Sequence, residues 1–129
     1  MPASTAVVNT GRAVITSRLI GTATAIPTYV AWGTGSTAVA LTDTTLTEPG
    51  EARTLGTGTQ TTTTTTSDTL NVVGTVVATG TRTIAEAGLF TASSGGSLFV
   101  RGVLAATISV ASGDSVAFTF NVSITSAVV

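Results

Sequence analysis

The sequence predicts an all-β fold, an antiparallel β-sandwich of jelly-roll-like form. About eight strands are expected, with one short N-terminal helix and an extended N-terminal arm. Three observations predict it. Small β-branched residues dominate, threonine above all, and such residues favour strands. Apolar and small polar residues alternate along residues 115–125, with Val116, Phe118, Phe120, Val122 and Ile124 on one face; a period of two marks a strand with one face on a core. Clusters of turn formers, Ser93-Ser94-Gly95-Gly96 and Ser112-Gly113-Asp114, separate apolar runs of strand length, the pattern of consecutive hairpins.

The elements follow in order. Residues 1–8 are small, uncharged and begin with Met1-Pro2. They are expected to form an arm outside a single domain spanning 9–129, with Pro2, Ala3, Val7 and Val8 available to dock on a neighbour. Residues 9–20, NTGRAVITSRLI, fit a helix. Asn9 or Thr10 would cap it, Val14, Ile15, Leu19 and Ile20 would form its apolar side, and Gly21 would stop it. A strand is the competing reading, because Val, Ile and Thr are common in this segment.

Residues 28–35 read as a strand entering a turn. They hold Tyr29 and Trp32, the only tyrosine and tryptophan. Such a pair suits core or interface packing; a stacking platform for a sugar or base is the alternative. Gly33-Thr34-Gly35 and Gly56-Thr57-Gly58 lack the rest of a dinucleotide or phosphate-loop fingerprint and read as turns. Residues 36–53 are loop-rich, and Asp43, Glu48 and Glu51 are expected there as a solvated acidic group without calcium-loop spacing. The threonine-rich run that follows is expected to form a hairpin of 53–65 with 69–79, turning at Ser67-Asp68.

The hairpin around Ser93–Gly96 allows a register. If residues 91–96 form the loop, Phe90 faces Ser97, Gly88 faces Phe99, Glu86 faces Arg101 and Ile84 faces Val103. Glu86 lies inside an apolar run, where an isolated charge is expensive. A Glu86–Arg101 pair across the ladder satisfies it. A catalytic or ligating Glu86 is the competing reading. Leu104, Ala106, Ile108 and Val110 continue the alternation on the second strand.

Composition excludes several function classes. The 129 residues contain no cysteine, histidine or lysine, and only eleven carry charge, for a net of −1. That removes disulfides, thiolate metal sites, the commonest general base and Schiff-base chemistry. No enzyme activity and no cofactor is expected. There is no basic footprint for nucleic acid. No run approaches the roughly 18 apolar residues that span a membrane, and no export signal is expected at residues 1–8. Asn121-Val122-Ser123 matches the glycosylation triplet, which reads as coincidence without export. Low charge invites association, so the chain is expected to live packed against copies of itself or another protein.

Four segments carry a resemblance: Thr10-Gly11-Arg12-Ala13-Val14-Ile15, Tyr29-Val30-Ala31-Trp32-Gly33-Thr34-Gly35, Ile84-Ala85-Glu86-Ala87-Gly88-Leu89-Phe90 and Ser112-Gly113-Asp114-Ser115-Val116-Ala117-Phe118-Thr119. Over about residues 9–125 the chain resembles small virion structural proteins of tailed bacteriophages. The resemblance implies a capsid decoration (cement) protein made in the host cytoplasm. It would bind the major capsid protein on the capsid exterior, commonly as a homotrimer that stabilises the head. A tail-fibre or baseplate component, which could bind carbohydrate, is the alternative within the same resemblance.

Overall fold

The structure is a computed structural model, described here for residues 4–22, 25–126 and 128. Its elements are β1 (Ser4–Val7), α1 (Asn9–Leu19), β2 (Tyr29–Gly33), β3 (Thr54–Leu55), β4 (Thr57–Thr61), β5 (Thr69–Val77), β6 (Arg82–Phe90), β7 (Leu98–Val110) and β8 (Ser115–Ser123). They build two antiparallel sheets, one ordered β1-β7-β6-β2-β3 and one ordered β4-β5-β8. This is the all-β sandwich that the alternation and turn spacing predict.

The sheets join at one corner. Only Gly56 separates β3 from β4, yet β3 pairs with β2 in the five-stranded sheet and β4 pairs with β5 in the three-stranded one. A strand that switches sheets is a usual corner device in sandwiches. The backbones crowd here. A Cβ on Gly56 would stand 2.8 Å from the Val73 carbonyl oxygen, and one on Gly74 would stand 2.5 Å from a Val30 methyl. Because the sheets share this corner, the two extra strands of the larger sheet, β7 and β1, lie beyond β8 on the opposite side. Between the sheets sit Val30, Trp32, Val72, Val76, Ile84, Leu89, Val100 and Phe120. On the larger sheet's other face, Val8, Ala31, Leu46, Phe90 and Leu98 form a second cluster, with Leu46 supplied by the long β2–β3 connection.

The helix lies where its pattern places it, but its details differ. Val8, not Asn9 or Thr10, is the N-cap, and no side chain caps the first turn. Thr10 Oγ1 instead donates to the Leu98 carbonyl at 2.6 Å. Gly21 adopts φ 77°. Its N–H donates to Arg18 O and that of Thr22 to Ser17 O, the Schellman closure that a glycine just past a helix allows. Val14 and Ile15 pack against the core. Leu19 and Ile20 do not join them; they are 80% and 75% exposed. The helix rests on β7 through its first half, where Gly11 meets the Phe99 backbone, so its last turn projects past the sheet.

The expected free arm is instead a strand of the domain. Ser4–Val7 pairs antiparallel with β7, from Ser4↔Val103 to Val7↔Val100. Val8 is 0% exposed, and its N–H donates to Phe99 O. Edge backbone groups on β7 require partners, and these residues supply them.

The β6–β7 register also differs from expectation. Phe90 pairs with Leu98, Gly88 with Arg101, Glu86 with Val103 and Ile84 with Ile108. The turn is one residue shorter than expected, with the Thr91 N–H donating to Ser97 O, and two irregularities shift the register further. Phe99 is an extra residue between the pairs Phe90↔Leu98 and Leu89↔Val100, and residues 104–107 stand opposite Ala85 alone. A bulge leaves residues unpaired and re-aims side chains, which turning signals in sequence do not record. Hence Ala106 and Ile108 are exposed rather than core, although Val110 is buried. The threonine-rich hairpin forms as Thr57–Thr61 against Thr69–Val77, shorter than expected but closing next to Ser67-Asp68.

Candidate functional site

The chain concentrates its charge on one task, holding residues 34–53 against the outer face of the larger sheet. Three arginines do this. Arg101, on β7, donates from Nε to Glu86 Oε2 at 2.8 Å, and its Nη2 lies 2.7 Å from the same oxygen. Nη1 reaches Asp43 Oδ2 at 2.8 Å, and Nη2 donates to the Thr37 carbonyl at 3.0 Å. Glu86 Oε1 accepts the Thr47 N–H at 2.6 Å. Both side chains are nearly sealed, Arg101 at 3% and Glu86 at 1% exposed. Two buried charges are tolerated only when paired and fully hydrogen-bonded, and here the loop completes the bonding.

The pair therefore exists through a different register from the direct opposition that sequence suggests. Glu86 faces Val103 and Arg101 faces Gly88, so the contact is diagonal, within reach of long side chains. Neither glycine pair expected as a turn is one: Gly33 ends β2, Gly35 follows it outside any turn, and Thr57-Gly58 begin β4. Gly33 and Gly35 instead make room for the pair: a Cβ on Gly35 would stand 2.8 Å from Glu86 Oε1, and one on Gly33 would collide with the same oxygen.

Arg53 lies over the Phe90 ring, 3.5 Å from its centroid. It pairs with Glu48 at 2.9 Å and donates to the carbonyls of Ala92 and Gly95 in the β6–β7 turn. Arg82 pairs with Glu51 at 3.1 Å, and Glu51 Oε1 also accepts the N–H and hydroxyl of Thr79. The acidic group expected in solvent is thus committed to arginines, and Glu51 is only 5% exposed. Sequence reasoning missed Asp43, Glu48, Glu51, Arg53 and Arg82 as structural residues. The available signal was their scarcity: in a chain this poor in charge, three acids on one connection need partners.

Asp43 and Glu51 are held as anions. An N–H from Ala40 lowers the Asp43 pKa, and Arg101 lowers it further against the opposing effect of burial. Burial pushes Glu51 up, but the Thr79 bonds and Arg82 outweigh it and leave the group below its ordinary value. Burial opposes the Arg101 charge, but Glu86 and Asp43 more than restore it. Among the described residues no three His, Cys, Asp or Glu side chains gather as a metal site.

The residues expected to bind a partner are not gathered into one surface. Trp32 is 2% exposed and belongs to the core, because an inward position on a central strand leaves its ring no route to solvent. This removes it from both the interface and the sugar-platform readings. Tyr29 is half-buried against the second cluster. Val8 is buried and Val7 half-buried in the sheet; Pro2 and Ala3 lie outside the described residues.

One solvent-facing surface is a sheet face without charge. The outer face of β4-β5-β8 shows rows such as Thr57–Val73–Thr119 and Thr59–Asn71–Asn121. Asn71 donates to Asn121 at 2.8 Å across this face. Comparison with protein-family models, with curated proteins and with solved structures finds no match to this chain.

Proposed function

We propose that the chain is a non-catalytic structural protein of a tailed-phage virion, a decoration protein that binds the major capsid protein on the outer capsid surface and stabilises the head. One observation carries this reading, the disposition of charge. Of eleven charged side chains, seven are in the ion pairs described above, and two more, Asp68 and Asp114, accept turn N–H groups. The β-sheet surface left over is broad, rigid and neutral. That surface suits adhesion over steering or chemistry: apolar contact gains about 25 cal/mol per Å² buried, and symmetric repetition multiplies it. The resemblance supplies the virion. The test is to add the purified chain to particles lacking it and to follow binding and heat-triggered DNA release. Saturable binding with release at higher temperature is expected; absence of binding overturns the proposal.

A further inference from the structure

The unequal sheets leave a slot. Strands β7 and β1 overhang β8, and beneath them runs a groove of about 310 Å³ lined by Thr5, Val100, Leu104, Phe118, Phe120 and Val122 among others. Among the described residues, none that lines it is charged. Its floor is the free edge of β8, a nine-residue strand without proline or charge. The Ile124 N–H donates to Asp68 O and the Asp114 carbonyl accepts from Ala78, so even-numbered residues bond toward β5. Odd-numbered ones, Ala117, Thr119, Asn121 and Ser123, therefore point their N–H and C=O groups at the open edge. Natural sheets normally block such an edge with charge, proline or a bulge. This one has none.

Directly after β8 the chain carries the complement. Ile124 is 63% exposed and Val128 fully exposed. They fall on the same parity as Phe118, Phe120 and Val122, and residues 124–129 are uncharged.

We infer that two copies exchange these segments, each laying Ile124, Ser126 and Val128 antiparallel along the β8 edge of the other. Pairing about Ser123 places Ile124 beside Val122 of the second copy, Ser126 beside Phe120 and Val128 beside Phe118, with Ser123 facing Ser123 on the two-fold axis. Apolar residues then enter the apolar groove, and the edge groups of Asn121 and Ser123 gain partners. The alternative register, centred on Thr119, would drive the two overhangs into each other. The offset of eight residues separates the bodies by about 27 Å along the strand and avoids this. Neutral slot and neutral strand match, which excludes a charged peptide as occupant. The contact is small, a few residues from each copy, and small interfaces are weak, so the dimer dissociates on dilution. The resemblance implies a trimer, and this edge implies a pair; the two are distinguished by mass. The inference stands independently of any virion location.

Sedimentation equilibrium over a wide concentration range tests it, together with oxidation of single-cysteine variants in a chain that has no native cysteine. The expected result is a monomer–dimer equilibrium that Val128→Asp weakens at least tenfold. Because Val128 touches solvent only, this variant folds as the parent does, which circular dichroism checks. Ser123→Cys should give a disulfide-linked dimer, its facing Cα atoms about 5.5 Å apart. Ser115→Cys, at the far end of the same strand, should not. A parent that stays monomeric, a trimer indifferent to Val128→Asp, or equal cross-linking of both cysteine variants would overturn the inference.

Discussion

Arg101→Met replaces the buried guanidinium with an apolar chain of similar reach. It strands Glu86, which is 1% exposed, with only the Thr47 N–H as partner. It also frees Asp43 and leaves the Thr37 carbonyl without its donor. Removing one member of a buried pair costs about 3–5 kcal/mol, against a total of about 5–15 kcal/mol for a domain. For a chain of this size each kcal/mol shifts Tm by about 4 °C, so a loss of about 12–20 °C is expected. Urea unfolding followed by circular dichroism measures it. Limited proteolysis should show new cleavage within residues 36–48, because the loop loses its main tether. The double variant Glu86→Leu/Arg101→Met should recover much of the loss, since no charge is then left buried. A cost below 1 kcal/mol for Arg101→Met, or a double variant as damaged as the sum of the singles, would refute the staple.

Three further outcomes follow from the packing. Gly11→Ala should destabilise by about 1–3 kcal/mol despite a helix-propensity gain of about 1 kcal/mol, because the added Cβ meets the Phe99 backbone, with the carbonyl carbon at 2.9 Å; thermal melts decide the sign. Trp32→Ala should cost about 3–5 kcal/mol as a core cavity, with glycan binding measured in parallel and expected to be absent in both proteins. N–H groups of Thr65, Thr63 and Thr64 and the Thr69 hydroxyl hold Asp68 well below the ordinary carboxylate range. A lowered folded pKa gives stability that is complete above about pH 4 and lost as pH falls through the lowered value. Urea midpoints between pH 6 and 2 should therefore fall less steeply for Asp68→Asn than for the parent.

How much of this was legible in the sequence depends on what signal each feature leaves. Alternation along residues 115–125 and the glycine-rich turns specify strands directly, because period and turn chemistry are local. Gly21 closes the helix for the same reason. The Glu86–Arg101 pair was legible from energy alone: a carboxylate in an apolar run must find a cation. Its geometry was not, because a turn one residue shorter and a bulge at Phe99 move Arg101 by two places without marking the sequence. The role of Ser4–Val7 was hidden too, since four small residues read equally as a free arm or as an edge strand. Trp32 misled because a lone aromatic suits core and surface alike; only its inward position on a central strand decides.

On the proposed reading, a chain with most of its charge held in internal ion pairs serves by attaching to an assembly in many copies. Quantitative mass spectrometry of purified particles measures that directly. Hundreds of copies per particle are predicted. Absence from particles, with the chain recovered only in the soluble fraction, would contradict it.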